Sequence, residues 1–163
     1  MRYHNITHDD MLNGDGLRVV LWVAGCAHKC PGCQNPITWD PKGGLEFWHN
    51  EIDEIFSYLD KDYVSGITYS GGDPLYIENR DDITELAKTI RQKYPNKTQW
   101  LYTGYWYEDI KDLPMMEYID VIVDGPFVLS LKDNTLHWKG SSNQRVIDVK
   151  HSKEAGKVVL HTT

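Results

Sequence analysis

The sequence predicts a single α/β domain, built as a partial, open β/α barrel with a mostly parallel sheet. Apolar, β-branched segments alternate along the chain with segments of helical spacing, and this alternation is typical of parallel sheets with right-handed crossovers. The chain has 163 residues, whereas a complete eight-stranded barrel needs about 200–250. We therefore expect residues 1–163 to form one domain whose sheet does not close on itself.

Four segments are predicted to be buried strands of this sheet. Each is short, rich in β-branched or aromatic residues, and followed directly by a loop that contains glycine. The four strands are expected at residues 17–24, 66–70, 98–102 and 120–123. The polar segment before them ends in the turn-forming run Asn13-Gly14-Asp15-Gly16, so it is interpreted as a lead-in to the first strand. Less regular extended segments are expected at 136–138, 145–149 and 157–161.

Helices are predicted between these strands, where apolar residues recur at helical spacing. The two longer helices are expected at 46–59 and 81–92, with shorter helical pieces at 107–111 and 115–118. Asp81 and Asp82 lie at the start of the second long helix, where negative charge favours the helix dipole.

The composition argues against several classes of protein. A formal net charge of −7 is unfavourable for a nucleic-acid-binding protein, which normally presents a basic surface. No apolar run approaches the roughly 20 residues of a membrane span, and the N-terminus lacks the charged-then-apolar pattern of a signal peptide. The expected location is the cytoplasm, where thiols stay reduced.

All three cysteines lie within one eight-residue segment, Cys26-Ala-His-Lys-Cys30-Pro-Gly-Cys33, directly after the first predicted strand. Their number excludes a four-thiolate site from one chain and argues against a disulfide framework. Clustered thiols are soft metal ligands. Zinc would take His28 as a fourth ligand, whereas an iron–sulfur cube would use three thiolates and leave one iron open. The compact spacing favours a [4Fe–4S] cluster, with zinc or unligated cysteines as alternatives.

The loops that follow parallel strands lie along one rim of the sheet, where α/β proteins bind ligands. Besides the cysteines, these loops carry Gly71, Gly72, Asp73, Thr103 and Asp124. The glycines would let the backbone approach a ligand closely, Asp73 could bind an ammonium group, and Thr103 could bind a ribose hydroxyl. Each also has a simpler interpretation as a turn or a cap.

The polar segment 140–145 could also contribute to a ligand site. It contains Asn143, whose side chain can hydrogen-bond to a carboxylate or to adenine. Clusters of serine and asparagine are usually loops, so the pattern alone is weak.

Taken together, these segments resemble the radical S-adenosylmethionine (SAM) activating enzymes of anaerobic, class III ribonucleotide reductases. The matching segments are Asn13-Gly14-x-Gly16, Gly25-Cys26-x3-Cys30-Pro31-Gly32-Cys33-x-Asn35, Thr38-Trp39, Ser70-Gly71-Gly72-Asp73-Pro74-Leu75, Trp100-x-Tyr102-Thr103-Gly104-Tyr105, Val123-Asp124-Gly125-x-Phe127 and Trp138-x-Gly140-Ser141-Ser142-Asn143-Gln144. Two positions depart from the family. Gln34 replaces a usual aromatic residue, and Pro126 replaces a basic residue. Lys132, Lys139 or Arg145 would have to substitute for that basic residue.

The resemblance implies a radical SAM fold and a [4Fe–4S] cluster held by Cys26, Cys30 and Cys33. The open iron would chelate the amino and carboxylate groups of SAM, and no further catalytic residue is implied. The implied contacts to SAM are Gly32, Cys33, Gln34, Gly71, Gly72, Asp73, Thr103, Asp124 and Asn143. Within this set, the backbone from Gly32 to Gln34 would bind adenine.

The resemblance also implies the reaction and its partners. SAM would be cleaved to methionine and a 5′-deoxyadenosyl radical, which takes hydrogen from a glycine of the reductase large subunit. A low-potential electron donor such as flavodoxin would reduce the cluster. Tyr105, Trp106 and Tyr107 are candidate docking residues for the reductase, unless they cover the local core. The alternatives are an activase of another glycyl radical enzyme, or a zinc or iron–sulfur binding module without catalysis.

Overall fold

Seven strands form one open sheet in the computed structural model, which describes residues 1–33 and 36–162. The strands are β1 (Arg2–Asp10), β2 (Leu17–Val23), β3 (Leu45–Glu46), β4 (Val64–Gly71), β5 (Thr98–Tyr102), β6 (Val121–Asp124) and β7 (Arg145–Asp148). Their order across the sheet is β3-β1-β2-β4-β5-β6-β7, so the first and last strands in this order are edges that do not meet.

The four central strands, β2, β4, β5 and β6, pair in parallel. β1 and β3 extend one side antiparallel, and β7 does the same on the other side. The predicted α/β architecture with a mostly parallel, unclosed sheet is therefore confirmed, and its parallel strands are the four that the sequence predicts. The assignment of this sheet to a radical SAM barrel stays a prediction.

Three of the described helices lie in connections between strands, and the fourth follows β7. They are α1 (His49–Leu59), α2 (Arg80–Lys93), α3 (Tyr107–Ile110) and α4 (Val149–Ala155), with short 3-10 turns at Pro36–Trp39, Ile77–Asn79, Pro114–Glu117 and Leu129–Leu131. α1 begins three residues later than predicted because Leu45–Glu46 pairs with β1 and the Glu51 side chain accepts a hydrogen bond from the Trp48 amide. Among the described helices, none has the length and apolar character that crossing a membrane requires.

Two predictions for the less regular segments are wrong, and two are confirmed in part. Arg2–Asp10 is a strand rather than a lead-in, because it pairs antiparallel with β2 and buries Tyr3 and Ile6. Residues 136–138 form bends, with a left-handed Trp138. The extended segment predicted at 145–149 is confirmed over Arg145–Asp148, which forms β7, whereas Val149 begins α4, where the Asp148 side chain caps the helix. Residues 157–161 make only an isolated bridge, between Leu160 and Ile147.

The two faces of the sheet differ. One face packs apolar residues such as Leu21, Ile67 and Leu101 against α1 and α2 in the main core. The other face is lined by larger and more polar side chains, including the fully buried Arg18 and Trp100. Because successive strand residues point to opposite faces, this second face includes Trp22 and Tyr102 nearer the carboxyl ends of the strands.

Arg18 fixes the amino-terminal ends of three strands on this second face. Its guanidinium group donates to Asp15 O, Thr68 Oγ1, Ile67 O, and both Oγ1 and O of Thr98, at 2.8–2.9 Å. Burial lowers the pKa of Arg18 to about 10, so the side chain still carries its charge at neutral pH. Arg18 thereby holds the amino-terminal ends of these strands together. The loops at the carboxyl ends, on the opposite rim of the sheet, do not take part in this network.

Candidate functional site

Three of the loops that carry predicted site residues meet around one cavity at the carboxyl ends of the central strands: the cysteine loop, the loop at 71–73 and the loop at 103–104. The cavity has a volume of about 590 Å³, which lies in the range of small-molecule sites. Seven of the predicted site residues line it: Cys26, Cys30, Cys33, Gly71, Gly72, Asp73 and Thr103. The parallel order of β2, β4 and β5 is what brings these loops to the same edge of the sheet.

The cysteine loop is shaped by left-handed backbone and fixed to the following turn. Gly25, Lys29 and Gly32 have φ values of +105°, +47° and +74°, so the chain reverses direction repeatedly between the cysteines. The Gly25 amide donates to Thr38 O at 2.7 Å, and the Cys26 amide donates to Trp39 O at 3.2 Å. The first cysteine therefore has a fixed backbone position.

The donor set fits an iron–sulfur cube in number and chemistry. None of the three cysteines takes part in a disulfide bond within the described part of the chain, and all three face the same cavity. Burial raises the pKa of the Cys26 thiol, although the backbone amides of Lys29 and His28 oppose this. A bound metal would remove that proton.

The three cysteines line the same cavity, but their sulfur atoms are not arranged as a metal site. Over residues 1–33 and 36–162, no group of three or more His, Cys, Asp or Glu side chains is close enough to hold a metal ion. Binding of the cluster would therefore have to bring the cysteine sulfur atoms into position.

Gly71 and Gly72 allow a close approach, but the partner is the protein's own backbone. A Cβ atom on Gly71, whose φ is +105°, would lie 2.4 Å from Val23 N. A Cβ atom on Gly72 would lie 2.4 Å from Gly25 O and 2.7 Å from Thr38 O. These two glycines hold the end of β4 against the cysteine loop, which gives them a packing role whether or not a ligand is bound.

Asp73 is the centre of a hydrogen-bond network that joins all three rim loops. Its Oδ2 lies 2.8 Å from His28 Nε2, and it accepts from Thr103 Oγ1 at 3.0 Å and from the Gly104 amide at 2.9 Å. Its Oδ1 accepts from the Leu75 amide at 2.9 Å, and the residue is only 1% exposed. The carboxylate thus faces inward and connects the cysteine loop to the loops after β4 and β5.

Asp124 does not reach the cavity, so the structure does not support it as a SAM contact. Its buried carboxylate accepts two hydrogen bonds from Arg145, at 2.5 and 3.1 Å, and one from the Tyr107 amide at 2.8 Å. Strand β6 points this side chain toward the helical layer, away from the cavity. A strand-terminal aspartate in a sequence does not reveal which face its side chain will take.

Arg145 is the basic residue that pairs with this carboxylate, rather than Lys132 or Lys139. It also pairs with Glu108, and the hydrogen bonds to the two carboxylates raise the pKa of Arg145 above its usual value. Its guanidinium carbon lies 5.3 Å from the centre of the Trp106 ring. That Arg145 substitutes for the basic residue expected at the position of Pro126 stays a prediction.

The predicted docking residues have different environments. Tyr107 is 5% exposed and belongs to the main core, so the docking prediction is wrong for it. Tyr105 is half-buried and packs its ring edge against His28, with ring centres 4.6 Å apart. Trp106 is 37% exposed and covers Gly125, so it is the residue of the three that retains an outward surface.

The remaining predicted contacts also lie outside the cavity wall or outside the described residues. Gly32 packs on Leu129, since a Cβ atom there would lie 2.6 Å from Leu129 Cδ1. The Asn143 side chain donates to Pro126 O at 2.7 Å and so fixes its own loop. Gln34 lies outside the described residues, and its backbone contact to adenine stays a prediction.

Sequence reasoning missed several cavity residues that strand periodicity could have found. Trp22 and Ser70 are register partners on β2 and β4, and Tyr102 occupies the same level on β5. Trp39 also lines the cavity. The buried atoms Trp39 Nε1 and Tyr102 Oη have no hydrogen-bond partner among the described residues. Buried polar atoms of this kind usually bind water or a ligand.

Comparison with protein families supports the iron–sulfur interpretation. A family model described as a 4Fe-4S single cluster domain matches residues 12–147 of the chain. This range contains the three cysteines and every loop that lines the rim of the cavity.

Curated relatives align over nearly the whole chain. The anaerobic ribonucleoside-triphosphate reductase-activating protein of Enterobacteria phage T4 is 47% identical over 146 residues, which covers 90% of this chain and 93% of that protein. The protein of the same name from Escherichia coli K12 is 42% identical over 150 residues, covering 90% and 97%. That of Vibrio cholerae is 36% identical over 148 residues, covering 88% and 96%.

Proposed function

Because the chain belongs to the family of anaerobic ribonucleoside-triphosphate reductase-activating proteins, we propose that it generates a glycyl radical on the large subunit of such a reductase. The proposal includes a [4Fe–4S] cluster and SAM as the reagents, a low-potential donor such as flavodoxin as the electron source, and the cytoplasm as the location. The observation that carries it is the meeting of the cysteine loop, Gly71–Asp73 and Thr103 around one cavity.

When bound, the reduced cluster and SAM would together supply a 5′-deoxyadenosyl radical able to take a hydrogen atom from a glycine. Cys26, Cys30 and Cys33 would hold three irons of the cluster, and the fourth iron would be open to SAM. Gly71 and Gly72 line the cavity, so their backbone would meet the amino group of SAM. The protein thus contributes ligands, orientation and exclusion of water, while the cofactor contributes the chemistry.

Hydrogen bonding in the protein limits what Asp73 and Thr103 can add. Both oxygens of Asp73 already accept hydrogen bonds, so an ammonium group would have to join or replace these donors. The Thr103 hydroxyl donates to Asp73 and accepts from the Tyr105 amide at 3.1 Å. A hydroxyl has one proton and two lone pairs, so Thr103 can accept one further hydrogen bond, for example from a ribose hydroxyl.

Anaerobic reconstitution with iron and sulfide tests the proposal directly. We expect about four irons and four sulfides per chain, an EPR signal after reduction, and a change in that signal when SAM is added. Mixing the reduced protein with SAM and an anaerobic ribonucleotide reductase should produce a glycyl radical EPR signal on the reductase. A colourless, zinc-loaded protein, or a cluster that yields no radical on the reductase, would contradict it.

A further inference from the structure

His28 lies in the middle of the cysteine loop, yet its contacts are with the other two rim loops. Its ring contacts three residues, which we call the His28 pocket: Asp73, Gly104 and Tyr105. We propose that His28 is a positioning residue that fixes the cysteine loop to the rim through Asp73, and that it does not ligate the metal. The functional part of this inference rests on the proposed role of the loop in binding a cluster.

The hydrogen bond to Asp73 is the first step of the argument. His28 Nε2 lies 2.8 Å from Asp73 Oδ2, and both oxygens of Asp73 already accept hydrogen bonds from other groups, so we assign the ring proton to Nε2 as the donor of this bond. The carboxylate is 1% exposed and is held in place by Thr103 and Gly104. His28 therefore binds a fixed, buried acceptor, where a charge-assisted hydrogen bond is strong.

The shape of the His28 pocket is the second step. A Cβ atom on Gly104 would lie 2.5 Å from His28 Cδ2, so the ring occupies the space that any side chain at position 104 would need. The Tyr105 ring meets His28 edge-on, with centres 4.6 Å apart and planes at 73°. Gly104 and Tyr105 thus form the surface that contacts this imidazole, and the preceding Thr103 holds the carboxylate to which it is hydrogen-bonded.

A competing arrangement uses the same hydrogen bond. Metal-ligating histidines commonly donate one ring N–H to a carboxylate and bind the metal through the other nitrogen. In that case His28 Nδ1 would be a ligand, as in the zinc alternative. The two arrangements differ in what a glutamine at this position can do, because its amide can donate to Asp73 but is a poor metal ligand.

The first experiment compares His28→Gln with His28→Leu in the reconstituted protein. If His28 positions the loop, His28→Gln should keep the iron content and the EPR spectrum of the reduced cluster close to wild type, while His28→Leu should lose most of its iron. Equal loss in both variants would show that the imidazole is a ligand and overturn the inference. Equal retention in both would show that the contact with Asp73 is dispensable, which overturns it as well.

The second experiment uses cluster-free protein, kept reduced, and measures trypsin cleavage after the exposed Lys29. Loss of the hydrogen bond in His28→Leu should speed cleavage by about tenfold, equivalent to about 1.4 kcal/mol of local opening free energy. His28→Gln should stay near the wild-type rate and melting temperature. His28→Leu should melt only about 3–6 °C lower, the shift that 1.4 kcal/mol produces in a chain of this length, so the protein remains folded during the assay. Cleavage of His28→Leu at the wild-type rate would overturn the inference.

His151→Leu is the matched control for the proteolysis. It also breaks a histidine–aspartate hydrogen bond, to Asp148 at 2.6 Å, but this pair lies at the start of α4, away from the cavity. Cleavage after Lys29 should not change in this variant. Because the assay needs no cluster, a wild-type protein that failed to bind iron would refute the proposed function while leaving this inference open to its own test.

Discussion

The carbonyl oxygen of Gly25 lies 2.4 Å from the position that a Cβ atom on Gly72 would occupy. No side chain fits there unless the backbone at the start of the cysteine loop moves. The end of β4 and the loop that carries the thiols are therefore packed as one unit, and this contact changes what substitutions at the glycines can reveal.

Gly72→Val should impair cluster binding as well as SAM binding. The branched side chain would push on Gly25 and Thr38, and so displace the segment that positions Cys26. We expect iron per chain to fall together with SAM affinity, measured by iron analysis and equilibrium dialysis. Gly156→Ala is a control for backbone strain away from the cavity, because a Cβ atom there meets nothing within 4 Å and its cost is the left-handed φ of +67° alone. It should lower the melting temperature without changing iron per chain. Normal iron content with selective loss of SAM affinity would show that Gly72 acts on the ligand alone.

Each of Cys26→Ala, Cys30→Ala and Cys33→Ala should abolish stable cluster binding and SAM cleavage, because two thiolates do not hold a cube. All three side chains are partly exposed in a surface loop, so the cluster-free variants should melt at nearly the same temperature as the wild type. Iron analysis, SAM cleavage and circular dichroism together check this. One cysteine whose loss leaves iron content normal would remove that residue from the ligand set.

Arg145→Met should destabilise the protein far more than Glu108→Gln. Removal of Arg145 leaves the carboxylate of Asp124 buried without its charged partner, which typically costs about 3 kcal/mol or more. Glu108 is 57% exposed, so its pair with Arg145 is a surface pair that contributes about 1 kcal/mol or less. Urea unfolding measures both changes in the free energy of unfolding. Similar values for the two variants would mean that Asp124 finds another partner.

His151 should titrate above its usual pKa, because its side-chain hydrogen bond to Asp148 favours the protonated ring. A raised folded pKa stabilises the protein below the unfolded value of 6.5, and this contribution disappears as pH rises through the folded pKa. NMR titration of the ring should show the raised pKa in the wild type and a lower one in Asp148→Asn. The same pKa in both proteins would assign the shift to another group.

The sequence was sufficient for the parts of the fold that depend on local patterns. The four parallel strands are apolar runs, and the loops that follow them had to meet at one rim, which placed the cysteines beside Asp73 and Thr103. Strand β1 was missed because most of its residues are polar and only Tyr3 and Ile6 are buried, so its sequence resembles a polar lead-in to β2.

What the sequence could not show at the site has a different cause. Asp73 lines the cavity and its contact with a ligand stays a prediction, but the sequence did not reveal that its carboxylate also lies against His28, which is 45 residues away in the chain. Asp124 was placed on the cavity because the strand end is near it, yet the side chain points to Arg145. Partners that are distant in sequence, and the face that a strand-terminal side chain takes, are decided by tertiary packing, which local pattern does not contain.

The cost of burying the charge of Arg18 is offset by the dipoles of carbonyl and hydroxyl oxygens, since none of its five hydrogen bonds goes to a carboxylate. The guanidinium group is solvated by carbonyl and hydroxyl groups much as a metal cation is by its coordination shell. A lysine could not take this place, because an ammonium group has three donors where the planar fork of arginine has five. The far end of the sheet is in effect an occupied ion site, whose ion is covalently tethered and never dissociates.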